Sequence, residues 1–229
     1  MEIVGHRGAR AFWPDNTVAA FRGALVAGAA GSEFDVRLTA DGACVCLHDA
    51  TLPDGRMVCD ALSPDIRRIQ LSGPAGTREP VAFLPDALAA LAGSHLICEI
   101  KNHPWDECYE PSGRVVDAIC EVLPEGSTVA CFDPVSLGMV PRDRFKRSFV
   151  TAAGFDPMSA LDAAIGLGFD ICAVEHVAID RTFVEAARSA GIEVHAWATD
   201  EPDRVRALNA LGVSVLMADD PARALAALR

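Results

Sequence analysis

The stretch GSEFDVRLTADGACVCLHD, residues 31–49, sets the reading of the whole chain. Its first half, SEFDVRL (32–38), reads as a buried strand, with Phe34, Val36 and Leu38 apolar at the two-residue period of a strand. Yet it carries two carboxylates, Glu33 and Asp35, two positions apart and therefore on one face. The chain then turns at Asp41-Gly42 and returns through CVCLH (44–48) to a histidine. No crossover helix fits in so short a connection, so 44–48 reads as the returning arm of a hairpin. With Asp41 and Gly42 as the two central residues of a tight turn, Ala40 faces Ala43 and His48 falls directly across from Asp35. The hairpin is expected to fold an imidazole onto a carboxylate pair.

Outward from this hairpin the pattern is regular. Short apolar runs at 3–8, 32–38, 96–101, 128–133, 147–153, 170–176, 193–199 and 213–219 read as strands. Between them lie segments with apolar residues at helical spacing, at 16–29, 84–93, 112–123, 157–168, 180–191 and 201–212, several of them ending in glycine. Strands alternating with helices predict a parallel sheet, and eight such units predict a (β/α)8 TIM barrel in a single domain over 1–229. A doubly wound open sheet is the alternative arrangement. Residues 50–82, rich in Pro, Gly and Asp, break the alternation and read as a short inserted cap, with a short helix around Pro64–Leu71.

Composition narrows the function. Of 229 residues, 51% are hydrophobic, which suits one sizeable core. Lys and Arg number 20 against 32 Asp and Glu, a net charge of −12 with no basic run, so neither nucleic acid nor an anionic membrane is an expected partner. A phosphate-bearing substrate would need local positive charge. The eight cysteines include no C-x-x-C pair, and several lie in apolar runs. They are expected to be reduced core residues of a cytoplasmic protein, neither a disulfide framework nor a zinc site. MEIVGHRG lacks the features of a secretory leader, and no apolar run reaches membrane-spanning length.

Two further groups join the first pair. Glu99 and Lys101 are also two apart at the end of a strand. Inward side chains at strand C-termini gather at the top of a barrel, so Glu33, Asp35 and Glu99 are expected to converge. Three carboxylates in a partly dry site repel, and a divalent cation offsets this; an all-oxygen ligand set points to Mg²⁺ or Ca²⁺. His6 and Arg7 end the first strand, and a guanidinium there suits a phosphate. For any one of these residues a salt bridge or helix cap is the plainer reading; their coincidence favours function. Trp197, near the end of the seventh strand, is either a pocket wall or core packing. Phe12, Trp13 and Phe132 are weaker pocket candidates, read first as packing or loop-anchoring; Glu175 either faces the site or, the favoured reading, forms a salt bridge; and His95, His103 and His195 read as surface or satisfied buried histidines. Trp105 and Tyr109 lie in the loop after Lys101, over the barrel mouth.

The motifs G-H-R-G (5–8), P-D-N-T-x-x-A-F (14–21), E-F-D-V-x-L-T-x-D-G-x-x-V-x-x-H-D (33–49) and C-E-I-K (98–101), in this order, resemble the glycerophosphodiester phosphodiesterase family. A looser resemblance continues through A-C-F-D-P (130–134), W-A-T-D (197–200) and G-V-S-V-L-M-A-D-D-P (212–221). The resemblance implies a phospholipase-C-like barrel, a divalent metal, and hydrolysis of a small phosphodiester to a phosphomonoester and an alcohol. By motif, His6 and His48 match its catalytic pair, Glu33, Asp35 and Glu99 its metal ligands, and Arg7 and Lys101 its phosphate contacts. The chain departs from it in four places, one being that Ala198, Thr199 and Asp200 follow Trp197 where the family often continues with Thr and Asn. Asp15 stands where the family has Glu, and Asp15 or Asn16 is expected to cap the first helix. Ala218 replaces a threonine in the closing segment, and the cap is short, implying an open pocket. Rival readings are a non-catalytic phosphate-binding barrel, a metal-dependent lyase working on carbonyls, and a lipid-headgroup hydrolase.

Overall fold

The computed structural model describes residues 1–229. Residues Gly31–Leu38 form strand β2, bonded in parallel to β1 (Glu2–His6) on one side and to β6 (His95–Ile100) on the other. Both of its faces are buried: Phe34 and Val36 belong to the main apolar core, and Glu33, Asp35 and Arg37 are buried on the opposite face. β7 (Thr128–Cys131), β8 (Lys146–Val150), β9 (Ile171–Glu175), β10 (Glu193–Trp197) and β11 (Val215–Ala218) follow in order, and β11 closes on β1. Eight parallel strands thus make a closed (β/α)8 barrel, as the alternation predicts. No helix is long and apolar enough to cross a membrane.

The outer helices are α1 (Val18–Val26), α3 (Leu84–Ala90), α4 (Arg114–Val122), α5 (Pro134–Gly138), α6 (Pro157–Leu167), α7 (Arg181–Ala190), α8 (Pro202–Leu211) and α9 (Pro221–Ala226). Three begin on an Asp-Pro pair. Asp133, Asp156 and Asp220 each accept backbone N–H groups of the first turn, and the proline supplies a preset φ where no donor is needed. α5 and α9 have no counterpart among the segments expected from sequence; they are too short to show a helical period.

Two apolar layers hold the barrel. Phe21, Phe34, Leu84, Ile100, Ile119 and Phe183 pack between strands and helices. Inside the barrel, Val4, Ile97, Ala130, Val150, Ala173 and Met217 form a small floor beneath the strand C-termini. A separate cluster, including Val45, Leu47, Val58, Ile66 and Phe83, lies under the excursion at 50–82. That excursion contains α2 (Ser63–Ile66) and a small antiparallel pair, β4 (Gln70–Ser72) and β5 (Arg78–Pro80).

The hairpin differs from expectation. β3 is only Cys44–Val45, and its register sets Arg37 against Val45 and Leu38 against Cys44, one residue off the expected pairing. The turn holds three residues, 40–42, closed by Thr39 N–H to Ala43 O at 2.9 Å, with Gly42 in the left-handed region at φ 80°. Asp41 is drawn off to accept from Thr39 Oγ1 (2.6 Å) and from the backbone and hydroxyl of Ser63, so it is not free to sit in a two-residue turn. After Val45 the arm leaves β2, and Cys46 N–H donates to Ala82 O at 2.9 Å. His48 is therefore not cross-strand from Asp35 and reaches the barrel mouth in a loop.

The cysteines need a second correction. Six are buried free thiols, but Cys59 and Cys108 form a disulfide with Cα atoms 5.5 Å apart. Cys59 lies in a single 3-10 turn, Val58–Asp60, and Cys108 in the loop after β6; they are 49 residues apart in sequence and the fold brings them together.

Candidate active site

The strand registers explain how the charged residues meet. His6 is the neighbour of Glu33 across β1–β2, and Asp35 is the neighbour of Glu99 across β2–β6. At the end of β1 the chain turns sharply through Arg7 (φ 56°) and Gly8 (φ 84°), both left-handed. A side chain at Gly8 would place its Cβ 2.4 Å from the backbone of Ala20, so only glycine lets this turn approach α1. The turn aims Arg7 at the carboxylates. Its N–H donates to Glu33 Oε2 (2.9 Å), Nη1 to Asp15 Oδ2 (3.2 Å), and Nε lies 3.1 Å from Asp35 Oδ2 as an ion pair without hydrogen-bond alignment.

Asn16 does not cap the first helix; Thr17 does, accepting from Ala20 N–H at 3.2 Å. Asn16 instead clamps Asp35. Its Nδ2 donates to Asp35 Oδ2 at 2.7 Å, and its Oδ1 accepts Asp35 N–H at 3.0 Å. Asp15 is spent on Arg7 rather than on a cap.

One carboxylate oxygen from each of Glu33, Asp35 and Glu99 lies within 4.8 Å of the others. Glu33 Oε1, Asp35 Oδ1 and Glu99 Oε1 are all buried without a hydrogen-bond partner. The compensating charge nearest them is the Lys101 ammonium, 3.0 Å from Asp35 Oδ1 and paired with Glu99 Oε1. Burial, together with the charges of Asp35 and Glu99, pushes the Glu33 carboxyl well above its ordinary range. Burial acts the same way on Asp35, but Lys101 and Arg7 outweigh it and hold Asp35 below its ordinary value. Burial would lower Lys101, yet Glu99 and Asp35 keep it firmly protonated. Three convergent carboxylates, with Glu33 Oε1 unpartnered and Asp35 Oδ1 and Glu99 Oε1 met only by the Lys101 ammonium, fit a divalent cation of the Mg²⁺ or Ca²⁺ type.

Both histidines are oriented by carboxylates. His6 Nδ1 lies 2.7 Å from Asp219 Oδ1, and His48 Nδ1 lies 2.7 Å from Asp49 Oδ1. A carboxylate on Nδ1 favours the proton there and leaves Nε2 as the basic nitrogen of the neutral ring. Burial lowers the His48 pKa, as do Lys101 and Arg7, against the pull of Asp35 and Asp49.

These groups line one side of a cavity of about 170 Å³: His6, Arg7, Glu33, His48, Glu99 and Lys101. The other side is apolar, made of Ala130, Phe132, Val150, Trp197 and Met217. Asp35 sits behind the wall, fully buried. Trp197 is thus a pocket wall, and its indole N–H has no partner within the protein. Phe132, expected to be packing, also lines the cavity. His103 is sandwiched between the Trp105 ring, stacked at 5.1 Å, and the edge-on Phe132 ring. Trp105 is exposed, Tyr109 lies outside the lining, and Phe12 points to solvent. Trp13 packs against Gly23. Glu175 has no salt bridge; it accepts Gly154 N–H at 3.1 Å. His95 pairs with Glu2, as a surface histidine does. His195 is buried with neither ring nitrogen hydrogen-bonded, against the expectation of a satisfied histidine.

A sequence profile of the glycerophosphoryl diester phosphodiesterase family matches residues 6–223. The chain belongs to this family. The Bacillus subtilis (strain 168) protein YhdW is 26% identical over 251 residues, covering 96% of this chain and 95% of its own. The probable glycerophosphodiester phosphodiesterase 2 of Mycobacterium tuberculosis (strain H37Rv) is 28% identical, covering 94% of this chain and 86% of its own. Among solved structures, an Oleispira antarctica phosphodiesterase in complex with the product sn-glycerol-3-phosphate superimposes with a TM-score of 0.85 at 20% identity, covering 100% of this chain and 96% of that one. The glycerophosphodiester phosphodiesterase of Thermotoga maritima does so with a TM-score of 0.81 at 22% identity, covering 100% and 98%. As a member of the glycerophosphoryl diester phosphodiesterase family the protein is a phosphoric diester hydrolase, and the divalent-metal dependence general to that family has its counterpart in the Glu33–Asp35–Glu99 cluster.

Three residues around this phosphodiesterase site escape a reading by motif. Asp219 has a signal that was available: it directly follows the last strand, which barrel closure pairs with β1, the strand that ends in His6. Asn16 looks like a helix cap and acts on Asp35. Arg37 shares the face of Glu33 and Asp35, and nothing in the sequence shows what its buried guanidinium meets.

Proposed function

We propose that the protein hydrolyses glycerophosphodiesters to a phosphomonoester of the sn-glycerol 3-phosphate type and an alcohol, by a metal-dependent mechanism with two histidines. The observation that supports this most is the single cavity in which His6 and His48, each backed by a carboxylate, face the three-carboxylate cluster. In this reading Glu33, Asp35 and Glu99 hold the cation, which when bound supplies positive charge at a non-bridging phosphate oxygen. Arg7 and Lys101 neutralise the rest of the phosphate charge and offset the net −12 of the chain. One histidine takes a proton from the nucleophile, water or a neighbouring substrate hydroxyl, and the other gives a proton to the leaving alkoxide. The apolar wall of Trp197 and Phe132 faces the carbon skeleton of the substrate and excludes water from that side.

We take residues 1–229 as one catalytic domain with 50–82 as its cap, acting on a soluble small molecule in the cytoplasm. In a reducing compartment the six buried thiols are at home, and the Cys59–Cys108 bond is open to reduction. The decisive experiment incubates a panel of glycerophosphodiesters with the protein and follows phosphomonoester release, with Mg²⁺ or Ca²⁺ and with a chelator. Release that needs metal and is restored by adding it back is the expected result. Absence of release from every diester, with either metal, overturns the reading.

A further inference from the structure

The loop position of His48 raises the question of what holds it, since the β2–β3 ladder stops at Val45. The answer lies in a buried charge outside the cavity. Arg37, 4% exposed, donates from Nε (3.0 Å) and Nη2 (2.8 Å) to the backbone carbonyl of His48. The same Nη2 donates to Asp106 Oδ2 at 2.8 Å, and the other carboxylate oxygen of Asp106 accepts Cys108 N–H at 2.9 Å. Cys108 is bonded to Cys59 in the excursion at 50–82, whose apolar cluster also contains Leu47, next to His48. A continuous path of short contacts therefore runs from the disulfide through Asp106 and Arg37 to His48.

We propose that Arg37 and Asp106 are positioning residues for His48, and that the Cys59–Cys108 disulfide locks them in place, so that thiol reduction lowers turnover. A buried guanidinium is costly unless its donors are used; here Nε and Nη2 are used on the backbone oxygen that fixes where His48 sits, Nη2 also on Asp106, and Nη1 reaches the Lys101 carbonyl at 3.5 Å. The carboxylate that completes the guanidinium's pairing comes from the loop after β6, a segment with no regular structure between Lys101 and Arg114. That loop is tied to the excursion through the Cys108 sulfur. Reduction replaces the S–S bond with two thiols, taking two electrons and two protons from a dithiol that is itself oxidised to a disulfide. The loop is then free to withdraw Asp106, and the Arg37 guanidinium loses its one carboxylate partner, leaving it held by the His48 and Lys101 carbonyls alone. Outer partners that orient catalytic ligands are typically worth about 10- to 100-fold in activity, which sets the expected scale.

The inference rests on the proposed diester hydrolysis for its kinetic readout, so the experiment carries a second readout that does not. Protein labelled with ¹³C-histidine is compared as isolated, after reduction with a phosphine, and as the Asp106→Asn variant. The His48 resonance is assigned by its loss in His48→Asn. The protein as isolated should show six titratable thiols under denaturing conditions and eight after reduction. Reduction and Asp106→Asn should each shift the His48 resonance in the same direction and lower kcat about 10-fold with KM changed little. Reducing the Asp106→Asn variant should add no further loss, because both act through one path. A Cys59→Ser/Cys108→Ser double variant should behave as reduced wild type without any phosphine. Eight thiols before reduction, an unmoved His48 resonance, or losses that multiply each overturn the inference. A shifted resonance in a protein that turns over no diester overturns only the functional reading and leaves the path standing.

Discussion

His6 and His48 each have a carboxylate on Nδ1, but the two carboxylates differ in setting. Asp219 is 45% exposed and shares its field with Arg10, whereas Asp49 is 82% exposed. An exposed pair is screened by water and holds its partner weakly; a partly buried one fixes the ring and its tautomer. Asp219→Asn is therefore expected to lower kcat/KM about 10-fold or more, and Asp49→Asn less than about threefold. Steady-state kinetics on the preferred diester decides this, and equal losses would show that both rings are oriented by something else. Removal of either imidazole goes further. His6→Ala and His48→Ala are each expected to lose about 10²- to 10⁴-fold in kcat, the usual worth of a positioned proton-transfer group, while circular dichroism stays unchanged. Near-normal turnover by either variant removes that residue from the mechanism.

At the scale of elements, the barrel strands were legible because two-sided burial writes long apolar runs, and the carboxylates were legible because they interrupt those runs. The hairpin register was not, because Asp41 is recruited by Ser63 from a segment distant in sequence and lengthens the turn by one residue. The disulfide joins a short turn of the excursion to the loop after β6, whose proximity only the closed barrel creates. The loop after β6 shows the same limit. Its His103 reads as an ordinary histidine, yet burial, with the Lys101 charge beside it, lowers its pKa to about 4. The unfolded chain binds this proton near pH 6.5, so between these values the unfolded state holds more protons than the native one. The neutral ring's contribution is then fully present above about pH 6.5 and is lost as pH falls toward 4. His103→Phe keeps an aromatic ring between Trp105 and Phe132 without the titration. Wild type should lose Tm relative to this variant on acidification through that window, and a pH-independent difference would rule out a buried neutral His103.

Across the whole molecule, the apolar floor and the helix layer stabilise a barrel whose C-terminal rim concentrates charge that opposes folding. Without a cation the like charges of Glu33, Asp35 and Glu99 are offset only by Arg7 and Lys101, and the Glu33 carboxyl rises well above its ordinary range in response. Function and stability should therefore pull in opposite directions at this residue. In chelator, Glu33→Gln removes a carboxyl whose ionisation the folded cluster opposes and the unfolded chain does not, and is expected to raise Tm at neutral pH. Saturating Mg²⁺ or Ca²⁺ binds only the folded cluster, and at about 100 times Kd it stabilises by about 2.7 kcal/mol. For a chain of this length that corresponds to a rise in Tm of about 5–10 °C. Glu33→Gln should show little of this rise, so the order of the two proteins' Tm values inverts between chelator and metal. Glu121→Gln, the same substitution at an exposed position of α4, should follow wild type in both conditions, because a distant surface charge is screened. Differential scanning calorimetry of the three proteins with and without metal gives the answer. Parallel shifts in all three would mean that the cation binds elsewhere and that the three carboxylates are held together by Lys101 and Arg7 alone.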